Sequence, residues 1–372
     1  MRVVLDVSAV PSRPVGVGTY VIALARGIDN RPDIELHLVA RRGDGATWRT
    51  HVASAHIHDV VPHRRPARLA WEQLATPRLA RRLAADVWHA PHYTMPLRLR
   101  VPAVVTVHDL TFFDHPEWHE RTKVMFFRRM IRAAAAKAAV VCCDSEYTAG
   151  RLRELLAPSA DVMVAPLGVD QHRFAAASAD DIARLAARGI AAPYIAFAGT
   201  IEPRKNVPGL VRAFAQVARA RPELRLILAG SDGWGTAEAR AAISASGAAS
   251  RVLRPGYLDD ATLAALFRHA ELVAYPSFEE GFGLPALEAL ASGTPLVTTK
   301  GSALEEVVGD AALLVTPGDD EELAIAIERV LDDVSLAARL RAAGPARAAA
   351  FSWDRTVDAT IVAYERAAHA RA

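Results

Sequence analysis

The chain has 372 residues, about half of them apolar, and a formal net charge of +2. That length exceeds what one hydrophobic core serves, so two domains are expected, and near-neutrality excludes a general nucleic-acid binder. No uninterrupted apolar run is long enough to span a bilayer, and Met1-Arg2-Val3-Val4-Leu5-Asp6 enters a strand at once, so a cytoplasmic protein is expected.

Apolar runs alternate with helical patterns, the signature of parallel sheets covered on both faces. In the first half, strands are expected near Val3–Val7, Glu35–Val39, Val87–His89, Ala103–Val107 and Ala139–Cys143. Helices are expected near Val17–Ile28, Arg68–Ala84, Arg121–Ala138 and Glu146–Leu156. Gly16 and Gly18 frame the turn that feeds the first helix, where bare N–H groups can approach phosphate or acceptor. His51, His56, His58 and His63 occupy a loop-like stretch without fixed geometry and read as scattered surface histidines, not as a metal cluster. Arg64, Arg65, Arg68, Arg78, Arg81 and Arg82 flank an amphipathic run containing Trp71 and Leu74, either a solvated helix face or one that rests peripherally on an anionic membrane. Cys142 and Cys143 are adjacent in a buried strand, too close for a stapling disulfide and too few for zinc, so both read as small core residues.

Strand signal is absent around Pro166–Ala192, which marks the domain boundary. A second series then runs through Tyr194–Ala198, Arg225–Ala229, Val252–Leu253, Leu272–Tyr275, Leu296–Thr298 and Leu313–Val315, with helices between. The last segment reads as a helix capped by Ser352, with Trp353, Val357, Ile361 and Tyr364 on one face.

The most informative stretch is Pro276-Ser277-Phe278-Glu279-Glu280-Gly281-Phe282-Gly283-Leu284-Pro285-Ala286-Leu287-Glu288. It follows a buried strand and opens a helix expected over Ala286–Ser292, with Pro285 in the first turn, where its missing N–H costs nothing. Glu280 then lies in the loop and Glu288 about one turn into the helix. Helix-start N–H groups attract phosphate, and a carboxylate on each side grips hydroxyls, a combination suited to a nucleotide that carries a sugar. Gly281 and Gly283 permit close backbone approach, and ligands in open α/β sheets sit beyond the carboxyl ends of strands.

Together with Gly199-Thr200-Ile201-Glu202-Pro203-Arg204-Lys205-Asn206, Val107-His108-Asp109-Leu110 and Gly16-Val17-Gly18-Thr19-Tyr20, the Glu280-x7-Glu288 spacing resembles the retaining glycosyltransferases of family 4, in particular the mannosyltransferase-B-like branch. The resemblance covers nearly the whole chain. It implies the GT-B architecture, two Rossmann-like α/β domains facing across a cleft. Residues 1–170 would be the acceptor domain, 171–351 the nucleotide-sugar domain, and helix 352–372 would cross back onto the first.

The resemblance also implies roles. Arg204 and Lys205 would stabilise the leaving diphosphate, with Thr200 standing where many members carry arginine. Glu288 would accept the ribose hydroxyls, Glu280 would face the transferred sugar, and His108 would lie against that sugar. Gly16, Gly18, Thr200, Gly230, Ser231, Tyr257, Leu258, Gly281, Phe282, Gly283 and Leu284 complete the expected donor contacts; Asp109, Phe113 and Trp118 border the expected acceptor site. The implied reaction moves a hexose, mannose from GDP-mannose, to a saccharide or lipid-linked acceptor with retention. No Asp-x-Asp metal clamp occurs in the chain, so no metal and no cofactor are expected beyond the nucleotide-sugar substrate. Two rivals stand beside transfer: a sugar-nucleotide epimerase, which would convert the donor alone, and a non-catalytic nucleotide-sugar binder.

Overall fold

A computed structural model describes residues 1–11 and 13–370, so the far end of the expected 352–372 helix lies outside the described residues. The chain divides into two compact units, Met1–Gly168 with the segment from Trp353 onward, and Val169–Ser352.

Unit 1 is built on seven parallel strands: β1 (Arg2–Asp6), β2 (Glu35–Arg41), β3 (His56–Val61), β4 (Val87–Ala90), β5 (Ala103–Val107), β6 (Val140–Cys143) and β7 (Asp161–Val164). Their order is β3-β2-β1-β4-β5-β6-β7. The central strands β4, β5 and β6 are buried along their whole length, as continuous apolar runs must be when helices cover both faces. Cys142 and Cys143 are buried free thiols in β6.

Three expectations are corrected in this unit. The edge strands β3 and β7 had not been anticipated, because a strand with one exposed flank lacks the apolar run that marks a central one. His56 and His58 therefore lie in a strand, not a loop. The helix expected over Arg68–Ala84 is two helices, Arg65–Leu74 and Thr76–Arg82; Pro77, in the first turn of the second, has no N–H to continue the first.

The C-terminal helix Trp353–His369 packs on the helix Val17–Asp29 and over β4, β5 and β6. Gly27 allows this approach, since a Cβ there would sit 2.3 Å from a Val357 methyl. Val357 and Tyr364 are fully buried, whereas Trp353 and Ile361 are half-buried. The Tyr364 hydroxyl meets His89 Nδ1 at 2.7 Å, and His89 Nε2 meets Thr106 Oγ1 at 2.9 Å, so the buried polar groups are satisfied.

Unit 2 has six parallel strands: β8 (Tyr194–Ala198), β9 (Arg225–Ala229), β10 (Val252–Gly256), β11 (Leu272–Tyr275), β12 (Leu296–Thr299) and β13 (Leu313–Val315). The order is β10-β9-β8-β11-β12-β13. All of β8 is buried, and a side chain such as Phe197 contributes roughly 1.5–3 kcal/mol by leaving water. Both sheets reverse direction of winding at one point, between β1 and β4 in unit 1 and between β8 and β11 in unit 2. Crevices at such switch points are where doubly wound folds bind ligands.

Candidate active site

In unit 2 the loops after β8 and β11 converge at the switch point. Pro203–Lys205 forms a 3-10 turn, and Asn206, at φ +50°, ends it and begins the helix Val207–Val217. The Asn206 side chain accepts the Gly209 N–H at 3.2 Å, which fixes the direction in which Lys205 leaves the turn. Lys205 donates to Glu280 Oε1 at 2.5 Å and to the Tyr275 hydroxyl, and Tyr275 donates to the same Glu280 oxygen at 2.9 Å. Arg204 pairs with the other Glu280 oxygen and with Glu202 at 2.9 Å. The Phe278 N–H donates to the Arg204 carbonyl at 2.8 Å, tying the two loops together.

Burial works to raise the Glu280 pKa, but the Arg204 and Lys205 charges outweigh it and hold the carboxyl down to about 2. Burial, reinforced by the adjacent Arg204, lowers the pKa of Lys205. The expectation of two open cations beside a glutamate turned toward the sugar is thus modified. The three groups close on one another, because Lys205 and Glu280 are buried, Arg204 is half-buried, and an unpaired buried charge is costly.

Glu288 lies in the helix Leu284–Ala291, which starts two residues earlier than expected and carries Pro285 in its first turn. Gly283, at φ +96°, precedes it without a side-chain cap; a Cβ there would meet Leu304 at 2.4 Å. Among the described residues no hydrogen bond or ion pair reaches the Glu288 carboxyl. Burial, helped by Asp260, pushes its pKa up to about 8. Gly281, Phe282 and Leu284 are buried around this turn.

The backbones of the β8 and β9 loops nearly touch. A Cβ on Gly230 would fall 2.0 Å from the Gly199 carbonyl oxygen, so position 230 needs glycine, while Gly199 sits at φ +152°, which side chains avoid. Thr200 is half-buried and Ser231 exposed beside them. Tyr257 is half-buried and Leu258 buried just past β10.

Unit 1 holds a cavity of about 180 Å³ at its own switch point. Its lining includes Asp6 at the end of β1, Ser8 just beyond it, His92 beyond β4, and Arg65, Arg68 and Glu72 from the helix Arg65–Leu74. Glu72 accepts from Thr94 at 3.0 Å and from Gln73 at 2.8 Å. Burial, with Asp6 adding to it, pushes Glu72 up to about 7; burial also raises Asp6. Among the described residues neither Arg65 nor Arg68 has an ion-pair partner.

His108 follows β5 and is held on both sides of its ring. Nδ1 lies 2.7 Å from Asp144 Oδ2 and Nε2 lies 2.8 Å from the Pro91 carbonyl, so both nitrogens are engaged within unit 1. Only the doubly protonated ring donates at both. Burial opposes that charge, yet Asp144 prevails and raises the His108 pKa. No ring nitrogen is left for a sugar hydroxyl in this arrangement.

Asp109 accepts from Thr111 N and Oγ1 at 3.2 and 2.8 Å, Phe113 lies beneath the Arg128 and Arg132 guanidiniums, and Trp118 stacks on His115 at 3.8 Å. None of the three lines the cavity. Gly16 begins the helix Val17–Asp29 at φ +49°, exposed, and Gly18 is buried against Pro14. Sequence reasoning missed Tyr275, Glu202, Asp144, Asp6 and Glu72 as site residues. Asp144, directly after an apolar strand, and Glu202, inside the Gly199–Asn206 stretch, carried a positional signal.

Comparison with known proteins shows the family. The family model described as Glycosyltransferase Family 4 matches residues 14–173, and that for Glycosyl transferases group 1 matches residues 188–347. Over 282 residues the chain is 32% identical to the O-antigen chain mannosyltransferase B of Escherichia coli, spanning 75% of this chain and 74% of that protein. It is 32% identical over 285 residues to the MMP alpha-(1->4)-mannosyltransferase of Mycolicibacterium hassiacum, spanning 73% of this chain and 66% of that one. The solved structure of Anabaena HepE in complex with UDP-glucose has a TM-score of 0.79 at 21% identity, covering 98% and 99% of the two chains. The fold and these relatives define a hexosyltransferase of the GT-B architecture. The chain belongs to glycosyltransferase family 4 and is mannosyltransferase-like within it. Among the described residues no helix is long and apolar enough to cross a membrane.

Proposed function

We propose that the protein moves mannose from GDP-mannose to a saccharide or glycolipid acceptor, with retention and without a metal. The observation that carries this reading is the Arg204–Lys205–Glu280 triad at the switch point of unit 2. As the bond from C1 to the phosphate oxygen breaks, negative charge grows on the diphosphate, and Arg204 and Lys205 are the cations that stabilise it. The diphosphate and Glu280 compete for these cations, so donor binding frees Glu280 to accept hydroxyls of the sugar. Glu288, whose carboxyl is unpartnered, takes the ribose hydroxyls. The acceptor oxygen then bonds to C1 on the face the phosphate leaves, and its proton passes to the departing phosphate oxygen. Mannose as the transferred sugar is supported by the names of the two mannosyltransferase relatives.

The acceptor is assigned to unit 1, where Asp6, Glu72 and Arg68 offer acceptors and donors for hydroxyls. His108, locked between Asp144 and Pro91, positions that wall. The exposed Arg64, Arg78, Arg81 and Arg82 and the 67% exposed Leu74 support peripheral contact with anionic lipid, for which the check is flotation with anionic liposomes at low and high salt.

A thermal-shift series with UDP, GDP and ADP, followed by their sugars, tests the donor, since only a ligand that favours the folded state raises Tm. GDP and GDP-mannose should give the largest shifts, and NMR of the product should show the anomeric configuration of the donor. Conversion of the donor without any acceptor would replace transfer by epimerisation. Turnover should persist in excess chelator.

A further inference from the structure

Away from the transfer site, the outer edge of the unit 1 sheet gathers four side chains that bind metals. In parallel strands the residues paired by register point to the same face, and the side-chain period is two. His37 on β2 is in register with His56 on β3. Glu35 precedes His37 by two residues and His58 follows His56 by two, so all four share one face. His37 Nε2 lies 2.9 Å from Glu35 Oε1, and His56 Nε2 lies 3.9 Å from the same oxygen. The ligand atoms of Glu35, His37 and His56 all fall within 4.8 Å of one another. Four-coordinate bonds of about 2.0–2.1 Å separate neighbouring ligand atoms by roughly 3.3 Å, which lies between the two observed contacts.

The surroundings suit a ligand set. His37 is buried and its ring lies between those of His56 and His58, at centroid distances of 4.7 and 5.2 Å. Its other nitrogen, Nδ1, sits 2.9 Å from His58 Nε2. A Nδ1–H donated to His58 leaves the Nε2 lone pair aimed at the Glu35 carboxylate, two acceptors that a cation between them would reconcile. Ligating imidazoles are oriented through their second nitrogen in this way. Two cationic side chains oppose the site: Arg2, which is itself paired to Glu35 Oε2 at 2.8 Å, and Arg82 near His58. His51 takes no part, its Nδ1 being held by Arg26 at 2.8 Å.

The geometry points to a site for a late first-row divalent cation, of which Zn2+ is the representative, on Glu35, His37 and His56, with His58 orienting His37. Two imidazoles and a carboxylate are the ligand types such ions prefer over magnesium or calcium. Because β3 is the edge strand, the ion would clip it to β2.

The test uses the full chain without a histidine tag, stripped of metal. Calorimetric titration with ZnCl2 should give one saturable step, and the same chain should show a Tm rise with Zn2+. The exposed ligands are the safe ones to change: His56→Ala with Glu35→Gln should abolish both the step and the Tm rise while leaving the metal-free Tm unchanged. His58→Ala should weaken binding about 10- to 100-fold. Co2+ should give the visible absorption of a low-symmetry site in the native chain and not in the double variant. A step that survives the double variant, or no saturable step in the native chain, overturns the site.

Discussion

The two switch-point sites contain the same residue type in similar burial and opposite condition. Glu280 is 5% exposed and Glu72 6%. Arg204 and Lys205 hold Glu280 down to about 2, whereas burial leaves Glu72 near 7 beside an arginine that forms no ion pair with it. The difference shows that a cation at hydrogen-bonding distance overrides desolvation, while one farther off does not. The unit 2 site is charge-matched and closed before any donor arrives. In unit 1 the groups are unmatched and stand to gain partners from a polar ligand.

The comparison breaks most readily at the triad. Lys205→Ala should lower turnover about 100- to 1,000-fold, the range found when a group that stabilises developing charge is removed. Glu280→Ala should lower turnover too, and should also destabilise unit 2 by about 3–5 kcal/mol, because it strands the buried Lys205 ammonium, while Arg204 keeps Glu202. Steady-state kinetics with GDP-mannose and urea unfolding measure the two effects. Turnover of Glu280→Ala within twofold of the native enzyme would show that the triad is only structural.

An intermediate effect is expected in the cavity. Arg68→Ala removes a guanidinium free to make charge-assisted hydrogen bonds, each worth about 1.5–3 kcal/mol, so the acceptor KM should rise roughly 10- to 100-fold. Donor affinity should stay unchanged. A shift in donor affinity with a normal acceptor KM would reverse the assignment of the two sites.

Glu288 sharpens the comparison inside unit 2, since it lies eight residues from Glu280 yet burial outweighs the one cation that favours its ionised form, Arg173. With a pKa of about 8 it is mostly protonated at pH 7. A ribose diol donates best to the ionised form, so affinity for the nucleotide-sugar should improve by up to about tenfold as pH rises from 7 through 8. Glu288→Gln should flatten that profile and weaken binding at pH 8.5. A profile identical in both proteins would remove Glu288 from the donor contacts.

Legibility in the sequence followed contiguity. The Glu280–Glu288 stretch and the Pro203–Asn206 turn each lie within a few residues, and the strands before them are continuous apolar runs, so their chemistry and place in the sheet could be read together. The closure of Glu280 on Lys205 could not, because it depends on residues 75 apart meeting across two loops. The unit 1 cavity draws on four segments, and Asp6 and Glu72 look like ordinary surface carboxylates until the fold buries them. The edge histidines were misplaced for a related reason: His56-Ile57-His58-Asp59 has the alternation of a strand but too little apolar character to announce one.

The smallest expected effect concerns stability, and its sign follows from the same contrast. Glu280, depressed to about 2, adds stability above the ordinary carboxyl range that is lost only as pH falls toward 2. Glu72 acts in the other direction. Its folded pKa of about 7 lies above the ordinary 4.5, so between these values the native state keeps a proton that the unfolded chain releases. Its contribution is therefore full below pH 4.5 and lost as pH rises to 7, by at most about 1.4 kcal/mol per pH unit. Glu72→Gln keeps the hydrogen-bonding shape without the titration, so its urea midpoint should fall less than the native one between pH 4.5 and 7. Asp6, also raised by burial, acts in the same sense and remains in the variant, so the slope should shrink and not vanish. Parallel slopes for the two proteins would mean that Glu72 is ionised across this range, and the cavity would then be as charge-matched as the triad.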